Sequence, residues 1–221
     1  MCYYTDQTSS KKALENRFKA TAYFLEDLLV HGKQSGFARP KLPVQTQGKP
    51  EMIQLIPWGL IPHWADEQTS KEIVSKTLNA KSETIFEKPS FEPYVLKQKC
   101  LVLVDGFFEW QHQGKEKIEY RIIKKEEGPF ALGGIYSIWM NPETRKLEPS
   151  FSIITTAANE LMEEIHNTKK RMPLILEKEA EEIWLKTNNY EEIKVLMKPF
   201  DSNKMQAKAI NENKQLGLFL N

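Results

Sequence analysis

The sequence predicts an α+β fold, with a mostly antiparallel, barrel-like β-sheet core and helices at its periphery. Three observations lead there. Residues 100–104, 119–124, 130–139 and 150–155 are rich in β-branched and aromatic side chains and bounded by Gly, Asp or Pro, as strands are. Short segments with helical spacing and capping residues flank these runs on both sides. No internal repeat, low-complexity tract or long linker divides the chain, and 221 residues suffice for one core, so a single domain over residues 1–221 is expected.

Taken in order, Ser9-Ser10 caps a helix over 11–18, which is expected to continue, with interruptions, toward Leu29. Residues 32–50 carry Gly and Pro every few positions and read as irregular chain with short extended pieces. A strand is expected over 52–56. The segment Trp58-Gly59-Leu60-Ile61-Pro62-His63-Trp64 follows Pro57 and is too proline-rich for a helix. A helix is expected over 66–78. Beyond the four β-rich runs come a short helix over 159–165 capped by Asn159, a strand over 171–176, an acidic helix over 177–185 and an amphipathic helix over 191–197. The tail after about residue 200 is polar and reads as loose.

Composition narrows the function. The 40% hydrophobic and 28% charged fractions are those of an ordinary globular protein. The net charge of +1 gives no overall field for nucleic acid, so any such contact must use a local basic surface. Two cysteines, Cys2 and Cys100, make neither a disulfide framework nor a zinc ligand set, and a reduced cytoplasmic compartment fits them best. No stretch has the apolar length to span a bilayer, and residues 1–6 lack the basic start and apolar run of a signal peptide. The mature N-terminus is therefore expected at residue 1 or 2.

That expectation singles out Cys2. Removal of Met1 would leave an α-amine and a thiol on adjacent carbons, with reference pKa values of roughly 7.7–8.0 and about 8.5. Both are partly deprotonated near neutrality and both are nucleophiles. An aldehyde meeting this pair forms an imine with the amine, and the thiol then closes a five-membered thiazolidine. A stray thiol on a loose end is the alternative.

Three further residues carry chemistry. Asn79, just past the 66–78 helix, is either a turn residue or an amide placed to bond a substrate oxygen or the N-terminal amine. Glu109, in Asp105-Gly106-Phe107-Phe108-Glu109-Trp110, is surrounded by aromatics, and burial among them would raise its pKa as a general acid or base requires; an ion-paired edge residue, with Asp105-Gly106 as an ordinary turn, is the alternative. His166, at a helix C-terminus, is either a dipole partner or a proton shuttle. His31, His63 and His112 lie in segments with no companion chemistry. Trp58, Trp64 and Trp110 sit in Pro- or Gly-flanked segments and could stack unpaired bases, while Lys81, Lys88, Lys169, Lys170 and Arg171 could contact phosphates; core tryptophans and solvated lysines are the alternative, and for any single one of them the favoured reading.

These pieces occur together in a familiar order. Met1-Cys2, Trp58 to Trp64, Asn79-Ala80-Lys81-Ser82-Glu83-Thr84 running to Glu87-Lys88-Pro89-Ser90-Phe91, Cys100 to Trp110, Ala131 to Trp139, Phe151 to Thr156, and Ile165-His166 with Arg171-Met172-Pro173 resemble the SRAP (SOS response-associated peptidase) family along nearly the whole chain. The resemblance implies a β-rich fold, covalent capture of abasic sites in single-stranded DNA, and removal of Met1 by self-processing. It implies active-site roles for Cys2, Asn79, Glu109 and His166, with DNA contacts from Trp58, Trp64, Lys81, Trp110 and Arg171. It implies no metal or organic cofactor, no membrane, a monomer, and single-stranded DNA bearing abasic sites as partner, with replication-fork proteins as further candidates. An abasic-site lyase side activity would follow from the imine. A cysteine peptidase acting on other proteins, and a non-covalent DNA-damage binding module, are the competing readings. Tyr3-Tyr4 stands where the family often has Gly-Arg, Lys81 where Arg is usual, Phe108 where Tyr is usual, and Glu92 where a basic residue is frequent. These departures bear on DNA affinity more than on chemistry.

Overall fold

A computed structural model describes residues 2–210. Its strands are β1 (Tyr4–Gln7), β2 (Thr21–Ala22), β3 (Gly32–Ser35), β4 (Lys41–Thr46), β5 (Lys49–Pro57), β6 (Asn79–Lys81), β7 (Lys99–Val104), β8 (Gly106–Gln113), β9 (Glu116–Lys124), β10 (Phe130–Met140), β11 (Leu147–Ala157), β12 (Arg171–Pro173) and β13 (Met205–Ile210). The helices are α1 (Lys11–Phe18), α2 (Glu67–Ile73), α3 (Glu92–Val95), α4 (Glu160–Ile165), α5 (Lys178–Lys186) and α6 (Tyr190–Leu196). One sheet runs β13-β9-β8-β1-β3, and the other runs β12-β11-β10-β7-β4-β5-β2 with β6 beside β11. Among the strand pairs of the described residues, only the short pairs β2–β5 and β6–β11 are parallel. The α+β, mostly antiparallel reading holds, and the barrel-like core takes the form of two open sheets rather than a closed barrel.

The apolar run at β7 shows how the layers arise. Cys100, Val102 and Val104 enter a cluster shared with Phe107 and Ile122 of the first sheet, whereas Leu101 and Leu103 enter a second cluster with Leu14, Trp184 and Ile193 from the helices. A strand buried on both faces has no polar alternate positions, so its sequence is continuously hydrophobic. The order is therefore helices, large sheet, small sheet.

Asp105 lies where the chain leaves β7 for β8, passing from one sheet to the other. Its carboxylate accepts the backbone N–H groups of Thr8 and Ser9 at 2.7 and 2.8 Å, fastening the end of β1 to this crossover. Asp105-Gly106 is thus more than a turn, and β8, a strand that the residue pattern does not announce, begins at Gly106. A Cβ added there would sit 2.9 Å from the Ile122 carbonyl oxygen, so the close approach of β9 requires glycine.

Several boundaries differ from expectation. Ser10 caps α1 as expected, accepting from Ala13 N at 3.3 Å, but Lys19 turns left-handed (φ 52°) and the helix stops before Ala20. Residues 32–50 are more regular than their glycines and prolines suggest, since β3, β4 and the start of β5 lie there. The expected helix over 66–78 is regular only over α2, and the expected strand over 171–176 only over β12. Beyond Phe200 the chain is not loose: β13 pairs with β9 from Met205↔Lys124 to Ile210↔Glu119. Residues 211–221, the remainder of that tail, lie outside the described residues. Among the described residues no helix is long and apolar enough to cross a membrane.

Trp184 ties the helix layer to the large sheet. It is fully buried, and its indole N–H donates to the Cys100 carbonyl at 3.1 Å. Trp184→Ala should cost about 3–5 kcal/mol, the usual range for truncating a core aromatic. Urea denaturation checks this; a loss below about 1 kcal/mol would mean that α5 is not an integral layer.

Candidate active site

Cys2 leads into β1, which lies between β3 and β8 with registers Tyr4↔Ser35 and Tyr4↔Phe108. It is completely buried, with Sγ 3.8 Å from the Tyr4 carbonyl oxygen. Burial, with the nearby Glu109 carboxylate adding to it, pushes the thiol well above its ordinary pKa. The thiol is therefore neutral in this state.

Asn79 opens β6, set by its parallel pairing with Ile153 of β11. Its Nδ2 donates to the Cys2 carbonyl oxygen at 2.8 Å, and its buried Oδ1 has no hydrogen-bond partner among the described residues. The preceding carbonyl, that of Leu78, accepts the Trp58 indole N–H at 2.8 Å, which steadies the turn carrying Asn79.

Glu109 sits mid-strand in β8 opposite Tyr120 and is 4% exposed. Desolvation raises its carboxyl to about 7. His166 ends α4, its backbone N–H donating to Met162 O at 2.8 Å. Its Nδ1 is 2.8 Å from the Arg171 carbonyl oxygen; a carbonyl only accepts, so Nδ1 carries the hydrogen. In the neutral ring Nε2 is then the basic nitrogen, and it faces Glu109 Oε2 at 3.9 Å. Burial lowers the His166 pKa. A carboxyl that holds its proton up to about 7 and an imidazole that resists taking one can hand a single proton between them near neutrality.

Four residues from distant parts of the chain thus converge: Asn79 contacts Cys2, Glu109 acts electrostatically on Cys2, and His166 faces Glu109. Glu109 and His166, both buried, line an open cleft of about 410 Å³, whose other lining residues are Tyr3, Tyr4, Trp110, His112, Lys117, Thr168 and Lys169. No cluster of three or more His, Cys, Asp or Glu residues able to hold a metal ion occurs among the described residues.

The residues assigned to DNA fare unevenly. Trp110 lines the cleft, with the Tyr4 ring at 4.9 Å and 67° and the Lys33 ammonium 4.8 Å from its centroid. Trp64 is 48% exposed and Lys81 is exposed, so both remain accessible. Trp58 is corrected: it is fully buried, stacked on Phe151 at 6.2 Å, and has no face to offer a base. Arg171 is committed within the protein. Its guanidinium makes a two-pronged pair with Glu83 and donates to Thr155 O at 2.6 Å, so it braces the His166 turn. His112, which has no companion chemistry in its own segment, lines the cleft with Lys117 across the β8–β9 hairpin. That hairpin only becomes visible once β8 is recognised as a strand.

With this geometry the chain falls into a defined class. The family model for SOS response associated peptidase (SRAP) matches residues 1–214, and the chain belongs to that family. It is similar to the abasic site processing protein YoqW of Bacillus subtilis, 38% identical over 169 residues, covering 75% of this chain and 72% of that protein. It is also similar to the abasic site processing protein HMCES of Xenopus tropicalis, 35% identical over 147 residues, covering 58% of this chain but 43% of that longer protein. A crystal structure of a Bacteroides thetaiotaomicron protein superimposes with a TM-score of 0.91 at 38% identity, covering 96% of this chain and 93% of that one.

The raised Glu109 pKa makes a stability prediction. A carboxyl near 7 in the folded chain and near 4.5 unfolded binds its proton more tightly when folded. The stability this confers is complete below the unfolded value and is lost as pH rises through the folded one. Glu109→Gln removes that dependence, so the variant should gain relative to wild type between pH 5 and pH 8, by up to about 3 kcal/mol. Urea denaturation at the two pH values reads the difference; parallel profiles would mean that Glu109 is not strained by burial.

Proposed function

We propose that this protein captures abasic sites in single-stranded DNA as a covalent adduct on Cys2 once Met1 has been removed. The observation that carries this reading is the placement of Asn79, Glu109 and His166 around residue 2, in a chain whose relatives include abasic site processing proteins. Met1 leaves by hydrolysis of its own peptide bond, and the nitrogen of residue 2 becomes an amine. As the abasic sugar opens to its aldehyde, the basic Nε2 of neutral His166 takes the proton of the anomeric hydroxyl and returns it to the ring oxygen. The amine attacks the aldehyde carbon, and Glu109 moves the proton from nitrogen to oxygen, giving a carbinolamine. Protonated Glu109 then supplies the proton with which hydroxide leaves as water, forming an iminium. The Cys2 thiol adds to the iminium carbon while its proton passes to the Glu109 carboxylate, closing the thiazolidine. The net change is loss of one water. A carboxyl with a pKa of about 7 serves both directions because each form is populated at neutral pH.

The order of events suits the buried thiol. The neutral Cys2 sulfur is a poor first nucleophile but needs only to reach an iminium already bound beside it. The same burial disfavours a general cysteine peptidase, which needs a thiolate open to another chain. Trp64 and Trp110 would stack bases flanking the lesion, and Lys81 would meet a phosphate. If the iminium instead loses a proton from the neighbouring sugar carbon, the 3′ phosphate departs and the strand is nicked.

Two altered proteins separate the roles of residue 2. Cys2→Ser keeps the amine and should yield an adduct trapped by borohydride but no heat-stable crosslink without it. A protein with a peptide tag ahead of Met1, and no cleavage before Cys2, should form no heat-stable crosslink, because an amide nitrogen is not nucleophilic and a thiol alone gives a reversible hemithioacetal. Denaturing gels with a single-stranded abasic oligonucleotide read both. A heat-stable adduct on the uncleaved tagged protein, formed as fast as on the mature one, would sink the proposal.

A further inference from the structure

The exposed residues of the cleft differ in character from its buried ones. Among the described residues lining it, Glu109 is the sole carboxylate and is buried, whereas His112 is half-buried and Lys117 and Lys169 are exposed. Several cations around the cleft and its supporting strands are already engaged: Lys33 pairs with Glu119, Arg121 with Asp6, Arg171 with Glu83 and Lys170 with Glu163. Lys117 and Lys169, both exposed, have no ion pair among the described residues.

These cations come from two separate pieces of chain that are fastened together. His112 and Lys117 face each other across the β8–β9 hairpin. Lys169 belongs to the turn between α4 and β12. The Asn167 side chain bonds both backbone groups of His112: Oδ1 accepts from His112 N at 3.1 Å and Nδ2 donates to His112 O at 2.8 Å. Gln111 adds a third tie, Nε2 to Glu164 O at 3.0 Å. A side-chain amide that mimics a strand partner in this way fixes the hairpin against the turn, and with it the spacing of the unpaired cations beside the catalytic end. Unneutralised lysines on a rigid, concave wall leading to a reacting group fit an anionic chain passing that group.

We propose that Lys117, Lys169 and His112 form a phosphodiester-binding site for the strand flanking the reacting sugar, with Asn167 as the residue that positions its two halves. The identification of the anion as DNA rests on the function proposed above. The site holds backbone, not bases, so it contributes affinity and register without sequence preference.

The test uses two readouts on the mature full-length protein. Anisotropy follows binding of a single-stranded oligonucleotide carrying a tetrahydrofuran abasic analogue, which has no aldehyde and cannot crosslink. Denaturing gels follow crosslinking of an aldehyde-bearing abasic oligonucleotide. The double variant Lys117→Ala/Lys169→Ala should bind the analogue at least tenfold more weakly. The slope of log affinity against log salt should fall by about 1.4, since each single-strand phosphate that a lysine neutralises adds about 0.7 to it. Its crosslinking rate at saturating DNA should stay within about twofold of wild type. Lys194→Ala/Lys198→Ala removes equal charge from exposed positions of the helix layer and should bind as wild type does. Asn167→Ala should weaken binding about threefold with both lysines present. Binding and salt slope in Lys117→Ala/Lys169→Ala equal to those of the control would overturn the site, whatever the crosslinking result. Weakened binding in a protein whose wild type forms no adduct would support the site and sink the covalent reading instead. Failure of wild type to bind the analogue would overturn the site, and the gels would still decide the covalent reading on their own.

Discussion

A carboxyl group buried between two sheets, Glu109, is the constraint around which the active end of this protein is arranged. At 4% exposure it loses most of its hydration, and its pKa rises to about 7. The strand that carries it, β8, is tied on one side to β9 and on the other to β1, so the carboxyl is fixed relative to residue 2. On its open side it meets His166, whose ring is held by the Arg171 carbonyl and whose supporting turn is braced by the Arg171–Glu83 pair. In the proposed function the cost of burying Glu109 is what equips it for proton transfer, because the same desolvation that disfavours the carboxylate lets it hold a proton up to about neutral pH.

The N-terminal strand is held by polar rather than apolar means. Thr5, Asp6 and Gln7 are all buried. Asp6 pairs with Arg121 at 2.6 Å, Gln7 donates to the Leu103 carbonyl at 3.1 Å, and Asp105 grips the backbone just after the strand. Such directional contacts set the position of β1 along and across the sheet, which apolar packing alone would leave freer to slide. The reactive terminus proposed above needs this, since termini otherwise fray.

The same polar anchoring explains which elements the sequence discloses. The capped helices α1 and α4, and the strands β7, β9, β10 and β11, follow from capping residues and apolar patterning and are legible as such. β1 is not, because its buried side chains are polar and their partners lie far along the chain. β8 is not, because Gly106 suggests a turn until the close approach of Ile122 O is seen. Trp58 looks available for a base because glycine and proline surround it, yet a Cβ on Gly36 would lie 3.1 Å from its ring, which is how tightly it is enclosed. Cys2, Asn79, Glu109 and His166, which the structure brings together, stand out in the sequence because their residue types are chemically specific. His112 and Lys117 are not, because only the β8–β9 pairing brings them to the cleft.

In the proposed capture, the amine and thiol of residue 2 together hold the abasic sugar. Intact mass measurement after incubation with a single-stranded abasic oligonucleotide is the decisive check. Capture by the aminothiol predicts a heat-stable species equal to the protein without Met1, plus the oligonucleotide, less one water. The absence of any covalent species, or an adduct that still contains Met1, would contradict it.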